Sequence, residues 1–249
     1  VLIKKYFSNT NSVGSFSNDN EFWLFSISGQ AKRIAINLQL KENVFNVLVI
    51  ENQNAMAQII YELSEQYNGN DGNFILSDNN NLLKFNNLIS LVLNPFSINC
   101  NEKKIISKLH SQLYDLANDI YYEKTKTLES NIINYLNILI DSLPYDLIFN
   151  YEFDIISLFK LQTVKLDQNL LSLTDKILNY IKVCADLTDI KLIIFINLKS
   201  FVNEFELLEI YKISSYYKIN LLLIENLQRC KMNNECITII DSDMCLISF

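Results

Sequence analysis

The stretch VFNVLVIENQNAMAQIIYELSEQY (44–67) decides the fold class, because it joins a strand pattern directly to a helix pattern. Its first nine residues form a nearly continuous apolar run rich in β-branched side chains, which is typical of a buried strand. The remainder predicts a helix, because apolar residues recur every four positions at Ala55, Ile59, Leu63 and Tyr67. A strand that leads into an amphipathic helix indicates an α/β protein.

The flanking sequence extends this pattern. KRIAINLQL (32–40) alternates apolar and polar residues, which predicts a half-buried strand. After the turn NGNDGN, a third strand is predicted in NFILSDN (73–79). We therefore expect residues 44–79 to form a strand–helix–strand unit with a right-handed parallel crossover.

The C-terminal part returns to the same alternation. Two buried strands are predicted in KLIIFINL (191–198) and KINLLLIEN (218–226). The helix between them, 201–217, has Asn203 as its predicted N-cap and Glu206 three positions later, a variant of the capping box. ECITIIDSDMCLISF, at the end of the chain, predicts two short strands joined by a turn.

The middle of the chain is predicted to be mainly helical. Two long amphipathic helices are expected in 101–125 and 127–143, and a short and a long one in 155–162 and 168–187. The acidic segment YDLIFNYEFD (145–154) between them has a strand-like pattern. The interpretation is an α/β sheet assembled from both ends of the chain with a helical insertion between.

Length and composition bound the domains. The 249 residues are 49% hydrophobic, which allows one large domain or two small ones with a well-buried core. We assign residues 1–31 to a flexible N-terminal arm, 32–100 together with 188–249 to the α/β part, and 101–187 to the helical part. No apolar run is long enough for a transmembrane helix and no signal peptide is recognised, so a cytoplasmic protein without membrane contact is expected.

Cysteine and histidine usage excludes several kinds of site. The five cysteines include no CxxC pair, which predicts free thiols in a reducing compartment, each acting as a small buried hydrophobe. The single histidine, His110, excludes a multi-His metal site without a partner chain.

Nucleotide hydrolysis is disfavoured by the loop after the first buried strand. A phosphate loop needs glycines, a lysine and a hydroxyl group, and ENQNAM (51–56) has none of them. The strands that follow end in Asn197 and Glu225, where an Asp that binds magnesium would be expected. The protein is therefore predicted not to be an enzyme.

One acidic cluster has the chemistry of a hard-cation site. If 145–154 is a strand, the side chains of Asn150, Glu152 and Asp154 project from one face. Three such oxygen-bearing side chains contribute part of the six to eight ligands that calcium takes. A solvated strand face without metal is the alternative.

Lysines are scattered along the helical part, and they are candidates for contacts with nucleic acid. The candidates are Lys103, Lys104, Lys108, Lys124, Lys126, Lys160 and Lys165. A solvated helix face is the alternative interpretation, because residues 101–130 carry as many acids as lysines. With a net charge of −7, DNA binding requires the fold to concentrate the basic residues on one surface.

The order of these segments resembles the ring-forming adaptation protein family of type II-A CRISPR systems, which takes part in spacer acquisition. The resemblance covers roughly 32–249. Its matching stretches are VLVIENQNAMAQIIYEL (47–63), NYEFDIISLFKLQTVKLD (150–167), KLIIFINLKSFVNEFELLEIYK (191–212) and INLLLIENLQR (219–229). It implies a RecA-like head that lacks a phosphate loop, with a helical leg.

The resemblance also implies a function and partners. Family members are homotetrameric rings that thread or cap double-stranded DNA ends without sequence preference, stabilised by calcium. They act with the CRISPR integrase proteins and the effector nuclease, and are not known as catalysts. This chain departs from the family pattern at Asn150 and Ser157, where acids are usual. A degenerate nucleotide-fold scaffold that binds only partner proteins is the alternative.

Overall fold

The computed structural model describes residues 21–26, 34–41, 43–78, 81–169 and 172–248. The chain divides into two compact units. The first unit combines the chain up to Asn94 with the chain from Ile190 onward, and the second is Pro95–Asp189. Most of the predicted arm, 1–20 and 27–31, lies outside the described residues.

Ten strands and seven α-helices are found in the part of the chain that the structure describes. The strands are β1 (Glu21–Ser26), β2 (Ile34–Gln39), β3 (Phe45–Ile50), β4 (Phe74–Asp78), β5 (Asn81–Leu82), β6 (Ile89–Val92), β7 (Leu192–Ile196), β8 (Asn220–Glu225), β9 (Glu235–Ile240) and β10 (Leu246–Ser248). The helices are α1 (Gln53–Tyr67), α2 (Phe85–Leu88), α3 (Lys103–Asn118), α4 (Tyr122–Asp141), α5 (Ile155–Leu161), α6 (Leu173–Leu187) and α7 (Glu204–Tyr216).

The first unit is built on a six-stranded sheet in the order β10-β9-β3-β8-β7-β6. All neighbours are parallel except β10, which pairs with β9 antiparallel. Val47 in the central strand β3 pairs with Leu223 on one side and Ile237 on the other. The strands β3, β7 and β8 are almost fully buried, which confirms their prediction from continuous apolar runs. The fold is therefore mixed α/β, as predicted.

The predicted parallel crossover between β3 and β4 is wrong. β4 belongs to a second, antiparallel sheet in the order β2-β1-β4-β5. Both sides of β3 are already hydrogen-bonded to β8 and β9, strands from the far end of the chain, so β4 has no edge of β3 to join. The predicted arm is also wrong for Glu21–Ser26, because its aromatic sequence EFWLFS pairs with β2 and β4.

Two capped helices accompany the six-stranded sheet. The side chain of Asn52 accepts a hydrogen bond from Ala55 N and caps α1, which buries Ile59 and Leu63. Asn203 caps α7 and forms the predicted capping box with Glu206. None of the described helices is both long and apolar enough to cross a membrane.

The second unit contains α3 to α6, and no strand occurs among its described residues. The strand predicted in 145–154 is wrong, because this segment is irregular and most of its side chains are exposed. Its last residue, Asp154, instead caps α5 by accepting a hydrogen bond from Ile156 N. The alternation therefore belongs to an exposed connection and not to a sheet.

The apolar faces predicted for the two long helices are only partly buried. On α3, Ile105 is buried, but Leu116 at the far end of the helix is 42% exposed. No residue of α4 is buried, and Tyr135 and Ile138 are 60% and 64% exposed. The amphipathic helix α4 is therefore only half-covered by the rest of the described chain, and part of its apolar surface stays exposed.

The prediction that every cysteine is buried is wrong for three of the five. Cys100 and Cys184 are buried, and burial raises the pKa of the Cys184 thiol to about 12. The other three, Cys230, Cys236 and Cys245, are exposed. Cys236 lies on β9 between the buried residues Glu235 and Ile237, so strand alternation turns it outward.

Candidate nucleic-acid interface

All seven lysines selected from the sequence lie in the second unit, and all seven are exposed. They are distributed over the two long helices, α5 and the segment that follows α5. Three lie in the first half of α3, two on α4, one on α5 and one in the segment that follows α5.

Three of the lysines belong to the first half of α3. Lys103 and Lys104 occupy the first turn, which contains no acidic residue, and Lys108 is one turn further along. The N-terminus of a helix carries a partial positive charge, and two lysines in the first turn add to it. Lys104 and Lys108 are four residues apart and therefore share one side of the helix. These three lysines outnumber the one acid at this end of α3, the N-cap residue Glu102, so the end remains favourable for an anion.

Lys165 is held beside the same end of α3 by hydrogen bonds on both sides of it. Asn101 binds the backbone of Leu166 twice, through Nδ2 to the carbonyl oxygen at 3.0 Å and through Oδ1 from the amide at 2.9 Å. The ring of His110 donates from Nε2 to the carbonyl oxygen of Val164 over 2.9 Å. These anchors fix the segment 164–166 along α3, so the backbone of Lys165 lies beside the helix.

The anchor residues are the part of the site that the sequence analysis missed. His110 is buried and its ring packs against Phe159, with 5.8 Å between the centroids. Its role is therefore to join α3 to α5 and to the segment that follows. The lone histidine was a visible signal, but its partner is a backbone carbonyl group, which no side-chain pattern reveals.

The two lysines of α4 are placed differently. The amine of Lys124 lies 5.5 Å from the centroid of the Tyr121 ring. Lys126 forms an ion pair with Glu129 at 2.7 Å, and this hydrogen bond raises the pKa of the lysine. An anion competes with Glu129 for Lys126, so Lys126 is the weaker candidate for a phosphate contact.

Lys160 lies in the last turn of α5, and its charge acts on Asp154, the N-cap residue of the same helix. The pKa of Asp154 is lowered first by its hydrogen bond from Ser157 and to a smaller extent by the charge of Lys160. Part of the field of Lys160 therefore acts on this carboxylate.

Two of the three side chains predicted to bind calcium, Asn150 and Asp154, accept hydrogen bonds from neighbouring groups of the chain. Oδ1 of Asp154 accepts from Ile156 N, and Oδ2 accepts from the hydroxyl group of Ser157 at 2.5 Å. Oδ1 of Asn150 accepts from the amide of Glu152. The described residues include no cluster of three His, Cys, Asp or Glu side chains suited to a metal. Calcium binding by Asn150, Glu152 and Asp154 stays a prediction.

The comparison with known families identifies the chain. The family described as CRISPR-associated protein (Cas_Csn2) matches residues 66–244. This chain belongs to the Cas_Csn2 family. The match covers more than two thirds of the chain, including all of the second unit and most of the six-stranded sheet. No curated protein matches the chain.

Membership in the Cas_Csn2 family implies a role in CRISPR adaptation. It confirms the family resemblance stated from the sequence. The match begins at Gln66, so β3 and nearly all of α1 precede it. The lysines of α3, α4, α5 and the segment after α5 all lie inside the matched region.

Proposed function

We propose that this Cas_Csn2 protein binds double-stranded DNA ends without sequence preference, as a homotetrameric ring, during spacer acquisition. Its partners in this role are the CRISPR integrase proteins and the effector nuclease, and it does no chemistry itself. The observation that carries the proposal is the group formed by Lys103, Lys104, Lys108 and Lys165 at the start of α3. We call these four residues the α3 lysine group.

The α3 lysine group suits contacts with phosphate and not with bases. The residues are exposed, and lysine is a compact, flexible cation that binds phosphate oxygens without geometric selection. Neutralising several phosphates releases counterions, so the affinity should fall steeply as the salt concentration rises. Because the chain has a net charge of −7, this local concentration of cations is what permits attraction to DNA.

The absence of nucleotide chemistry is supported by the start of α1. In a phosphate loop, the amides at the helix N-terminus bind the phosphates. Here the Asn52 side chain caps these amides, and its Nδ2 donates to the carbonyl oxygen of Ser242. The six-stranded sheet contains five parallel strands, which are β3, β6, β7, β8 and β9 in chain order. If these are numbered 1 to 5 along the chain, their order across the sheet is 5-1-4-3-2. This order supports a RecA-like sheet that has lost its phosphate loop.

Assembly into a ring is supported by α4. A helix of 20 residues with no buried residue and with tyrosine, leucine and isoleucine exposed is unusual for an isolated monomer. Contact with a second copy of the chain would remove this surface from water. We therefore propose that α4 contributes to the contacts between subunits of the homotetramer.

The test is an electrophoretic mobility assay with linear and closed circular duplexes of the same sequence. The triple variant Lys103→Gln/Lys104→Gln/Lys165→Gln is compared with Lys182→Gln/Lys212→Gln/Lys231→Gln. Each removes three exposed lysines, so the net charge is matched. We expect about 100-fold weaker binding for the first variant, since each phosphate contact contributes about 1 kcal/mol at moderate salt, and little change for the second.

Two results would contradict the proposal. Equal binding to closed circles would exclude recognition of ends, and equal loss in the two triple variants would exclude a specific role for the α3 lysine group. The alternative function, a scaffold that binds only partner proteins, is favoured by the exposed face of α4. Light scattering with and without duplex distinguishes the two, because a scaffold does not change its assembly when DNA is added.

A further inference from the structure

A cavity of about 450 Å³ opens in the first unit, and none of its lining residues belongs to the α3 lysine group. It lies at the amino ends of three neighbouring strands. Phe45, Leu192 and Asn220 begin β3, β7 and β8, and Val44 and Lys191 immediately precede the first two of these strands. Its volume is within the range of about 300–1,000 Å³ that small-molecule sites occupy. Phosphate loops lie at the carboxyl ends of such strands, so this is a different site.

The lining of the cavity divides into an apolar and a cationic part. The apolar part includes Leu40, Phe45, Leu76 and Leu192, which are all buried. The cationic part consists of three exposed lysines, Lys41, Lys191 and Lys218. Among the described residues, no Asp or Glu lines the cavity. In a chain with 28 acids and 21 bases, three lysines and no acid among the described lining residues favour anions.

Backbone hydrogen bonds join the segment that carries Lys191 to the segment that follows Lys218. The Lys191 amide donates to Leu88 O at 2.8 Å, and the Lys191 carbonyl oxygen accepts from Asn220 N at 2.9 Å. Lys218 lies two residues before β8 and has a φ of 56°, in the left-handed region that side-chain-bearing residues rarely adopt. Glycine is the usual residue at this position after a helix. The chain therefore places a lysine at the rim of the cavity in a conformation that disfavours it.

The hydrogen-bonding groups of the rim complement this charge. Asn43, Ser215 and Asn220 line the cavity together with the lysines, and their amides and hydroxyl group serve a polar ligand. A small inorganic anion would leave the apolar part unfilled. A long aliphatic anion would leave the amides and the hydroxyl group without partners. The ligand that satisfies both parts carries a phosphate and a flat, largely apolar body with polar edges.

We propose that this cavity binds a nucleoside 5′-monophosphate unit, with the phosphate at Lys41, Lys191 and Lys218 and the base against the apolar part. The unit comes either from a free mononucleotide or from the phosphorylated 5′ terminus of a DNA strand. The site is independent of the α3 lysine group. Its failure would therefore leave DNA binding by the second unit unaffected.

The experiment is isothermal titration of the full chain with AMP, with adenosine and inorganic phosphate as partial ligands. We expect saturable binding of AMP that weakens with salt, and at least tenfold weaker binding of each partial ligand. The variant Lys191→Gln/Lys218→Asn should lose at least tenfold in affinity for AMP. Asn tolerates the left-handed conformation, so the turn is preserved. The matched control, Lys182→Gln/Lys212→Gln, should bind AMP normally.

A second variant protects the test from misfolding. If Lys191→Gln/Lys218→Asn melts at a lower temperature than the control, Lys41→Gln/Lys191→Gln replaces it, because neither substitution touches the left-handed turn. Three results would each overturn the proposal. The first is an absence of saturable AMP binding, and the second is an equal affinity for AMP in the variant of the cavity lining and in the control variant. The third is binding of decanoate as tight as that of AMP.

The source of the unit is found by competition against bound AMP. Displacement by a 5′-phosphorylated duplex but not by its 5′-hydroxyl counterpart assigns the site to DNA termini, and no displacement by either assigns it to free mononucleotides. Both results support binding of a nucleoside 5′-monophosphate unit in the cavity. Equal displacement by the two duplexes would overturn it, because the terminal phosphate would then have no role.

Discussion

The ammonium nitrogen of Lys199 lies 2.6 Å from Oε1 of Glu235, and the two side chains are 6% and 0% exposed. Tyr211 donates its hydroxyl hydrogen to the same carboxylate oxygen at 2.6 Å, and Met232 N donates to Oε2 at 2.9 Å. Burial, with the adjacent carboxylate, raises the pKa of Tyr211. The ion pair joins the 3₁₀ turn after β7 to the start of β9 inside the first unit.

Replacing Lys199 by methionine should destabilise the protein by about 3–5 kcal/mol, because the Glu235 charge stays buried without its partner. The free energy of unfolding is measured by urea denaturation followed by circular dichroism. The double variant Lys199→Met/Glu235→Gln should recover much of the loss, since it removes both charges. Lys126→Met breaks an exposed ion pair and serves as the control, with little effect expected. A loss in Lys199→Met no larger than in this control would contradict the prediction.

Glu225, at the end of β8, should make stability depend on pH. Its Oε1 accepts from Lys199 N at 2.9 Å, while its Oε2 is buried without a hydrogen-bond partner in the structure. Burial raises its pKa to about 7 from a usual value of 4.5. The neutral form is therefore favoured by folding, so its stabilisation is complete below the unfolded pKa and is lost as the pH rises through about 7.

The loss between pH 4 and pH 8 should be about 3 kcal/mol, at 1.36 kcal/mol for each pKa unit. The variant Glu225→Gln keeps the acceptor oxygen and cannot ionise, so it should lack this component. The measurement is the free energy of unfolding of both proteins at several pH values in one mixed buffer. Parallel curves for the two proteins would show that Glu225 does not titrate in this range.

These buried polar residues show where prediction from sequence ends. The apolar runs of β3, β7 and β8 and the capping box of Asn203 were predictable, because strand burial and helix capping depend on adjacent residues. The pairing of Lys199 with Glu235 was not, because it joins segments 36 positions apart whose contact exists only after the sheet forms.

The candidate interface divides in the same way. The lysines were visible as residues, but their grouping depends on Asn101 and His110 binding backbone atoms of residues 164 and 166. The strand predicted in 145–154 failed for a related reason. Alternating polarity is needed for a half-buried strand, but a strand also needs a second strand to which its backbone can hydrogen-bond. No such strand lies beside this segment among the described residues.

Loosening the anchor of Lys165 should weaken DNA binding without removing any charge. Asn101→Ala deletes both hydrogen bonds to the backbone of Leu166. Lys165 would then lose its position beside α3, and we expect about fivefold to tenfold weaker binding of linear duplex, corresponding to about 1 kcal/mol. The mobility assay measures this, with Asn118→Ala, which removes an exposed bond at the other end of α3, as the control. Equal affinity of the two variants would show that the anchor is irrelevant to binding.

Gly72 should not tolerate alanine, although it lies in a surface turn. A Cβ at this position would lie 2.1 Å from Oε1 and 2.7 Å from Cβ of Gln66. The Gln66 amide is buried and binds both the amide and the carbonyl group of Phe74, which positions β4. Gly72→Ala should therefore cost about 1–3 kcal/mol of stability, measured by thermal unfolding. Asp71→Ala, in the same turn and exposed, should cost much less, and equal costs would contradict the prediction.

Charging the exposed face of α4 should dissociate the proposed homotetramer. Tyr135 and Ile138 are three residues apart and therefore share one side of the helix, where they are 60% and 64% exposed. Neither is buried within its own unit, so Tyr135→Glu/Ile138→Glu should leave the fold intact while placing two carboxylates in the subunit contact. Burying unpaired charges there costs several kcal/mol, which is about 100-fold or more in the dissociation constant.

Sedimentation velocity measures the outcome, with Tyr61→Glu as the control because it is similarly exposed, at 64%, on α1. The α4 variant should sediment as a smaller species than the control at every concentration and should bind linear duplex more weakly. Weaker binding is expected because a ring holds DNA through the lysines of all its subunits at once. A variant that keeps the sedimentation coefficient of the control would show that α4 does not form the contact between subunits.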